Sequence, residues 1–512
     1  MTFQSILFET PEDRKNAESA TAPSFFADLN CDQVVDGITG AKGEYDLKPF
    51  FYGCLHRVGA VAYRHQIMSD LENPFLFEAV TSLGRTMKHM RATLAWVRKC
   101  AYKEEQEGWF LDAVKMYCDA LVSFTDDLSR AGVKSRGFGG LLEYLRAYTG
   151  SPSFVSLVSE TTALKTDLSE IRYCVRIKSG AFTVRKYEAE ADYSAEIESV
   201  FEKFKQGATR DYRMTFQPRD YLNHIEAKIL EFTARLHPEV FGRLGDFYLK
   251  NQDYVDEPIA KFDREIQFYI GYMDFVAPLK RVGLPFCYPE ISEQANEVYS
   301  QASFDIALAD KMAKGNASVV CNDFSLRGDE RILVVSGPNQ GGKTTFARTF
   351  GQLHYLASIG LPVPGNQARL LAFDHILTHF EKEEAVENLR GKLEDDLVRI
   401  HDILDRATPR SVIILNEVFA STTLYDETFL SIKVMERISK LDSLCVWVTF
   451  VDELASFNGK TVSMVSTVDP ENPAARTFKI LRRPADGLAH AMAIARKHRL
   501  TFDSIKERIG GA

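Results

Sequence analysis

Arg331–Thr345 reads RILVVSGPNQGGKTT, and its interpretation decides the fold of the second half of the chain. Ile332 to Val335 is an uninterrupted run of branched apolar residues, the composition of a strand buried on both faces of a parallel sheet. It leads directly into Gly337-Pro-Asn-Gln-Gly-Gly342-Lys343-Thr344, which satisfies G-x-x-x-x-G-K-[ST]. Glycines let a backbone curl until successive N–H groups point inward around phosphate oxygens, and a following helix adds its N-terminal dipole. Phe346 to Ile359 has the pattern of that helix. A glycine-rich turn matching by chance would lack this context. The stretch therefore reads as a nucleoside triphosphate site, with Gly337, Pro338, Asn339, Gln340, Gly341 and Gly342 as the loop. Lys343 is placed to reach the β- and γ-phosphates, the Thr344 hydroxyl to ligate Mg²⁺, and Thr345 to complete the binding turn.

The 512 residues are too many for one core and predict two to four domains. A hydrophobic content of 45% and a charged content of 26% describe an ordinary globular chain. The net charge of −9 argues against a protein that coats nucleic acid without specificity, but leaves room for a local basic groove. The eight cysteines form no C-x-x-C pair, so neither a zinc site nor a disulfide framework is indicated, and reduced thiols in a cytoplasmic protein are expected. No apolar run is long enough to span a bilayer, and Met1 to Asp13 lacks a signal-peptide pattern. A soluble protein with no membrane partner is expected.

Three stretches follow in order. Residues 1–48 are a mixed lead-in with little pattern, residues 49–291 read as helical, and residues 292–512 read as α/β. In the helical stretch Phe51, Leu55, Val58 and Ala62 fall at helical spacing, Asn73-Pro74 marks a break, and Leu76, Val80, Leu83 and Met87 resume it. Helical patterns continue through Trp109–Leu128, Gly139–Tyr148, Tyr221–Leu236 and Ile259–Leu279, and Gly137 to Gly140 reads as a helix opening. Residues 171–186 alternate apolar and polar around Ser179-Gly180, which predicts a β-hairpin near 171–187. Its polar face would carry Arg172, Arg176 and Lys178, with Arg185 and Lys186 near the far end; such a face suits a phosphate backbone or plain solvent. Past Pro289 the chain leaves the helices, and Ser411–Leu415 and Leu444–Thr449 read as further buried strands of a parallel sheet. Asn416-Glu417 sits at the end of the first of these, where such folds place residues that handle metal and attacking water. Asn416 keeps an acceptor oxygen for Mg²⁺ but lacks the charge of the usual Asp. Glu417 is the candidate to position or deprotonate the water, and with Lys343 and Asn416 it completes the candidate catalytic set.

From the phosphate loop onward the chain resembles the ATPase domain of the MutS family of DNA mismatch-repair proteins. GPNQGGKTT is similar to that family's GPN-x-GGKST, and Ala357–Gly365 to its A-x-I-G-x-x-V-P-A segment. Ile403-Leu404, Ala407-Thr408 and Ser411–Glu417 follow its IL…AT…S-L-V-L-x-D-E run without a gap. Thr422, Tyr425 and Asp426 fall on the T, Y and D of its D-E-x-G-R-G-T-S-T-Y-D motif. The resemblance implies a multi-domain chain: a mainly α-helical core, lever and clamp region, with the hairpin at the clamp, followed by an α/β P-loop (ABC-type) ATPase domain. It also implies ATP and Mg²⁺ as cofactors, a homodimer with composite ATP sites, and DNA as partner, whether mismatched, branched or plain duplex.

The departures bear on activity. The family's N-terminal mismatch reader with its Phe-x-Glu wedge is not expected here, and neither is a nuclease-like tail. Gly391 falls where the family has a serine that reaches the partner's γ-phosphate, Phe450 replaces a histidine, and Phe419-Ala420-Ser421 replaces Gly-Arg-Gly. Each such loss costs on the order of 1–4 kcal/mol of transition-state stabilisation. Two expectations follow: a MutS-like ATPase that clamps DNA, or an ATP-held clamp that scarcely hydrolyses. A third, an SMC or transporter type of P-loop machine, needs an LSGGQ-like signature and long heptads or membrane segments, none of which the sequence shows.

Overall fold

The computed structural model describes residues 3–178, 181–188, 222–315, 317–381, 391–469, 475–485, 500–502 and 505–506. The Ser179-Gly180 turn and Tyr221, at the expected start of a helix, lie outside the described residues. The chain forms two compact units, one of residues 74–133 and 140–263, the other of Thr2–Asn73, Lys134–Gly139 and Arg264–Ala512.

The second unit begins with the pattern-poor lead-in. Thr10 and Asp13 close a capping box on α1 (Pro11–Ala17), followed by α2 (Cys31–Thr39), α3 (Lys48–Tyr52) and α4 (Val58–Leu71). Buried polar groups lock this segment down. The fully buried Glu265 accepts hydrogen bonds from Ser5 Oγ (2.6 Å) and the Ile6 amide (3.0 Å), and pairs with Arg14. The fully buried Arg64 donates to Leu7 O (3.0 Å) and Ile359 O (2.8 Å), with its guanidinium against the rings of Phe8 and Phe268. The expected single helical run through Phe51 and Ala62 is interrupted, because α3 stops at Tyr52 and α4 starts at Val58. Gly53 explains the break: a Cβ there would lie 2.1 Å from Ala17 O, so the chain passes against α1 at a distance only glycine allows.

The first unit is helical. It runs through α5 (Pro74–Val97) and α6 (Lys103–Arg130), part of α7 (Arg136–Thr149), α8 (Pro152–Glu170), the hairpin strands β1 (Tyr173–Lys178) and β2 (Ala181–Lys186), α9 (His224–Leu236), α10 (Pro238–Lys250) and the start of α11 (Glu257–Arg281). Pro74 occupies the first residue of α5, where its missing N–H costs nothing. The core includes an edge-to-face aromatic cluster in which Phe110 meets Phe247 and Tyr254, and Tyr254 meets Tyr117. In the hairpin register Arg176 faces Thr183 and Cys174 faces Arg185, so Arg176, Lys178 and Arg185 share one face. Lys186 faces Tyr173 and falls on the other.

The remaining elements are β3 (Phe286–Cys287), β4 (Glu290–Ser292), β5 (Glu297–Ser303), α12 (Ile306–Lys314), β6 (Asn322–Arg327), β7 (Ile332–Ser336), α13 (Lys343–Ser358), β8 (Val363–Pro364), β9 (Gln367–Leu371), β10 (Ile376–His379), α14 (Lys392–Arg406), β11 (Val412–Asn416), α15 (Leu424–Leu441), β12 (Leu444–Val448), β13 (Thr461–Val468) and β14 (Arg476–Arg482). The main sheet has the order β10-β11-β12-β7-β13-β14. Neighbours are parallel from β10 to β13, while β14 returns antiparallel on β13, so the sheet is mixed rather than wholly parallel. A four-stranded sheet, β4-β9-β5-β6, accompanies it. β7, β11 and β12 are buried at every residue, as their branched apolar composition requires of central strands.

Candidate functional site

β7 lies between β12 and β13, and the phosphate loop springs from its C-terminal end. This is the end at which parallel α/β sheets place their ligands. Three residues of the loop are left-handed: Gly337 (φ 114°), Gln340 (φ 58°) and Gly342 (φ 89°). Ser466 of β13 clasps the loop, its Oγ donating to Gly341 O at 2.7 Å. A Cβ on Gly341 would come within 2.2 Å of that Oγ, so the close fit demands glycine. α13 then starts at Lys343 behind Gly342, which supplies no side-chain cap. Its first N–H groups are thus left to whatever enters the loop.

Lys343 is buried, and its Nζ donates to Gly337 O (2.9 Å), Pro338 O (3.3 Å) and Asn339 Oδ1 (3.5 Å). The ammonium also sits 4.2 Å from the centre of the Phe450 ring. Burial pushes its pKa below the usual lysine value, with Glu417 opposing and Arg476 adding to the shift. The Thr344 hydroxyl donates to Asn416 Oδ1 at 2.9 Å, tying the head of α13 to the last residue of β11. Glu417 follows in a left-handed conformation (φ 52°), its amide donating to Val448 O at 2.9 Å, and its side chain lines the same cavity as the loop. Thr345 lines it too, while Pro338 contributes its carbonyl to Lys343. The cavity measures about 420 Å³ and extends from the loop to α12 and β14. The sequence-selected residues Asn339, Gln340, Gly341, Gly342, Lys343, Thr344, Thr345 and Glu417 all face it, and Asn416 stands directly behind Thr344.

Other residues were not legible beforehand. Ser466, Arg476, whose Nε donates to Asn339 O (3.1 Å), and Phe478 reach the loop from β13 and β14, more than a hundred residues downstream, and carry no local signal. Gly391 precedes α14 with open space around it. Thr423 caps α15 through the Asp426 amide, leaving Tyr425 exposed. Among the described residues, no group of three or more His, Cys, Asp or Glu is arranged to hold a metal, and no helix is long and apolar enough to cross a membrane.

Residues 333–494 match the family described as MutS domain V, a span that begins in β7 and contains the loop, β11 and β12. Those residues form a MutS domain V. The chain is similar to "Endonuclease MutS2" of Staphylococcus carnosus, 28% identical over 46% of the chain and 30% of the relative. It is also similar to "DNA mismatch repair protein MutS" of Clostridium kluyveri, 27% identical over 52% of the chain and 31% of the relative. A third relative, "DNA mismatch repair protein MutS" of Shouchella clausii, is 35% identical over 42% of the chain and 24% of the relative. The chain thus spans less than a third of the length of the curated relatives it matches.

Proposed function

We propose that this chain is a MutS-like ATP-dependent DNA-binding protein, in which ATP binding and hydrolysis drive closure of a homodimer on DNA in mismatch repair or a related repair or recombination role. The observation that carries the reading is the Thr344–Asn416 hydrogen bond beside the buried Lys343. It sets a hydroxyl, an amide oxygen and an ammonium at the mouth of an uncapped helix N-terminus. The chain fits a phosphate chain there. A Cβ on Gly341 would strike Ser466 Oγ and push the loop off β13, and Lys343 Nζ donates to neutral oxygens that a phosphate oxygen outcompetes. Lys343 and the loop amides would hold the phosphates, while Thr344, backed by Asn416, would take Mg²⁺. Bound MgATP supplies the electrophilic γ-phosphate. Glu417, projecting into the cavity, would orient or deprotonate the attacking water. Leu424, Tyr425 and Phe429 of α15 are exposed close in sequence to Glu417, and suit the face a second copy would cover to complete the site. The relatives' names point to DNA, and the basic face of Arg176, Lys178 and Arg185 suits its phosphates.

A second reading, an ATP-held clamp with little turnover, is favoured by the neutral Asn416 and by the Phe450 ring over Lys343. Steady-state ATP turnover with and without mismatched, branched and perfect duplex DNA separates the two, with Lys343→Ala and Glu417→Gln alongside. Turnover that needs both residues and responds to DNA supports the motor. Tight ATP binding with turnover no higher than that of Glu417→Gln favours the clamp, and absence of nucleotide binding overturns both.

A further inference from the structure

Two side chains from neighbouring strands grip the phosphate loop by its carbonyls. Ser466 Oγ of β13 donates to Gly341 O (2.7 Å), and Arg476 Nε of β14 donates to Asn339 O (3.1 Å). Carbonyls drawn outward leave a loop's amides free to turn toward an anion. The second grip depends on the β13–β14 ladder. Its register slips between Ser466 and Val468, which sets Arg476, the first residue of β14, opposite Val468. Beside it the Thr467 and Thr477 hydroxyls meet at 2.6 Å, and the Asp469 amide donates to Ala475 O (3.1 Å). Arg476 is half-buried at this tied strand end.

Two cations meet on Asn339. Its carbonyl accepts from Arg476 Nε, and its Oδ1 accepts from Lys343 Nζ at 3.5 Å. Burial lowers the Lys343 pKa, Glu417 opposes that shift, and the nearby Arg476 charge adds to it. The cavity itself is poor in positive charge. Among the described residues, Lys343 is the one lysine or arginine lining it, while Asp305 and Glu417 bring two carboxylates. Asn416, behind Thr344, is neutral. A triphosphate carries more negative charge than a diphosphate, so a second cation beside the loop favours it. Arginine suits that place, because its guanidinium stays charged and can hold a carbonyl while its field reaches an anion.

We propose that Arg476 is a positioning residue for the terminal phosphate: it fixes Asn339, and through it Lys343, and its charge selects a triphosphate over a diphosphate. The inference rests on the nucleotide reading above and deepens it by naming what distinguishes ATP from ADP. The test is calorimetric titration of the full chain, with Mg²⁺, against ADP and an ATP analogue whose β–γ bridge resists hydrolysis. Arg476→Gln keeps a donor for Asn339 O and removes the charge. It should weaken the analogue about fivefold or more and ADP by less than about twofold. Added salt should narrow the gap between parent and variant for the analogue. Arg476→Lys, which keeps the charge, should restore most of the selectivity. Ser466→Ala removes the other grip without altering charge and should weaken both ligands alike. Equal losses of analogue and ADP in Arg476→Gln reduce Arg476 to a brace and overturn the proposal. Unchanged binding of both ligands in that variant overturns it too, as does a selectivity loss in Ser466→Ala matching that of Arg476→Gln. A parent that binds neither ligand overturns the nucleotide reading itself; a parent that binds both, with variants that keep its ratio, removes only the role of Arg476.

Discussion

The Lys343 ammonium lies 4.2 Å from the centre of the Phe450 ring, with its hydrogen bonds turned back onto the carbonyls of its own loop. A cation over an aromatic face gains about 0.5–1 kcal/mol at an exposed site and about 2 kcal/mol when desolvated. The pairing therefore stabilises a lysine that is not yet engaged with phosphate. Phe450→Ala removes that competitor and should tighten ATP binding by roughly two- to fivefold. Calorimetry on the two proteins checks this; weaker binding by the variant would mean that the ring supports nucleotide instead of holding the lysine back.

Asn416 accepts the Thr344 hydroxyl but brings no charge to the place where Mg²⁺ is proposed to sit. Asn416→Asp preserves the shape and adds the carboxylate. It should raise ATP turnover about tenfold or more, within the 1–4 kcal/mol span of such electrostatic groups. It should also lower the Mg²⁺ concentration needed for half-maximal turnover. A Mg²⁺ titration of turnover reads both, and an unchanged profile would place the metal away from Asn416.

Acid should destabilise the protein through His354. This residue of α13 is fully buried, its Nδ1 donates to Phe350 O (2.8 Å), and its Nε2 has no partner. Burial pushes its pKa down from 6.5 to about 4. Because the unfolded chain takes up the proton first, the stability held by neutral His354 is complete above pH 6.5 and is lost as the pH falls toward 4. The loss is on the order of 3 kcal/mol. His65, half-buried against Tyr288, shifts in the same direction, also to about 4. Urea midpoints between pH 7 and 4.5 should fall less steeply for His354→Phe than for the parent; parallel slopes would remove His354 as the cause.

Arg64 joins the lead-in to the end of the phosphate-loop helix. Its hydrogen bonds reach Leu7 O and Ile359 O from a site with no solvent exposure. Arg64→Met fills most of the volume but leaves both carbonyls unpaired, and should cost about 3–5 kcal/mol. Gly360→Ala attacks the same point from the other side. The glycine is left-handed (φ 72°), and a Cβ would lie 2.7 Å from Arg64 Cβ. Thermal melts should show both variants destabilised, and a neutral Arg64→Met would mean that the lead-in docks by apolar burial alone.

These ties explain which parts of the molecule the sequence revealed. β7, β11 and β12 announced themselves because central strands must be apolar on both faces, and the loop because phosphate binding demands glycines at set spacing. The hairpin was visible through strict alternation. The lead-in was opaque because its anchors, Glu265 and Arg64, are single buried polar residues whose partners lie up to 295 positions away. Ser466, Arg476 and Phe478 were opaque for the same reason: sheet order brings β13 beside β7, and no local pattern encodes that order. The antiparallel return of β14 depends on its pairing with β13, which composition does not specify.

The hairpin offers a test of DNA contact with an internal control. Register places Arg176, Lys178 and Arg185 on one face of β1 and β2, and Lys186 on the other. If the shared face meets a phosphate backbone, Arg176→Glu with Lys178→Glu should weaken binding to every DNA tested, since phosphate contacts carry no sequence information. Each lost contact should also flatten the dependence of log affinity on log salt by about 0.9. Lys186→Glu makes a like charge reversal on the opposite face and should leave the salt slope near that of the parent. Fluorescence anisotropy across a salt series reads all three proteins. Equal losses per reversed charge from the two faces would reduce the effect to net charge, and unchanged affinity in the double variant would remove the hairpin from the DNA-binding surface.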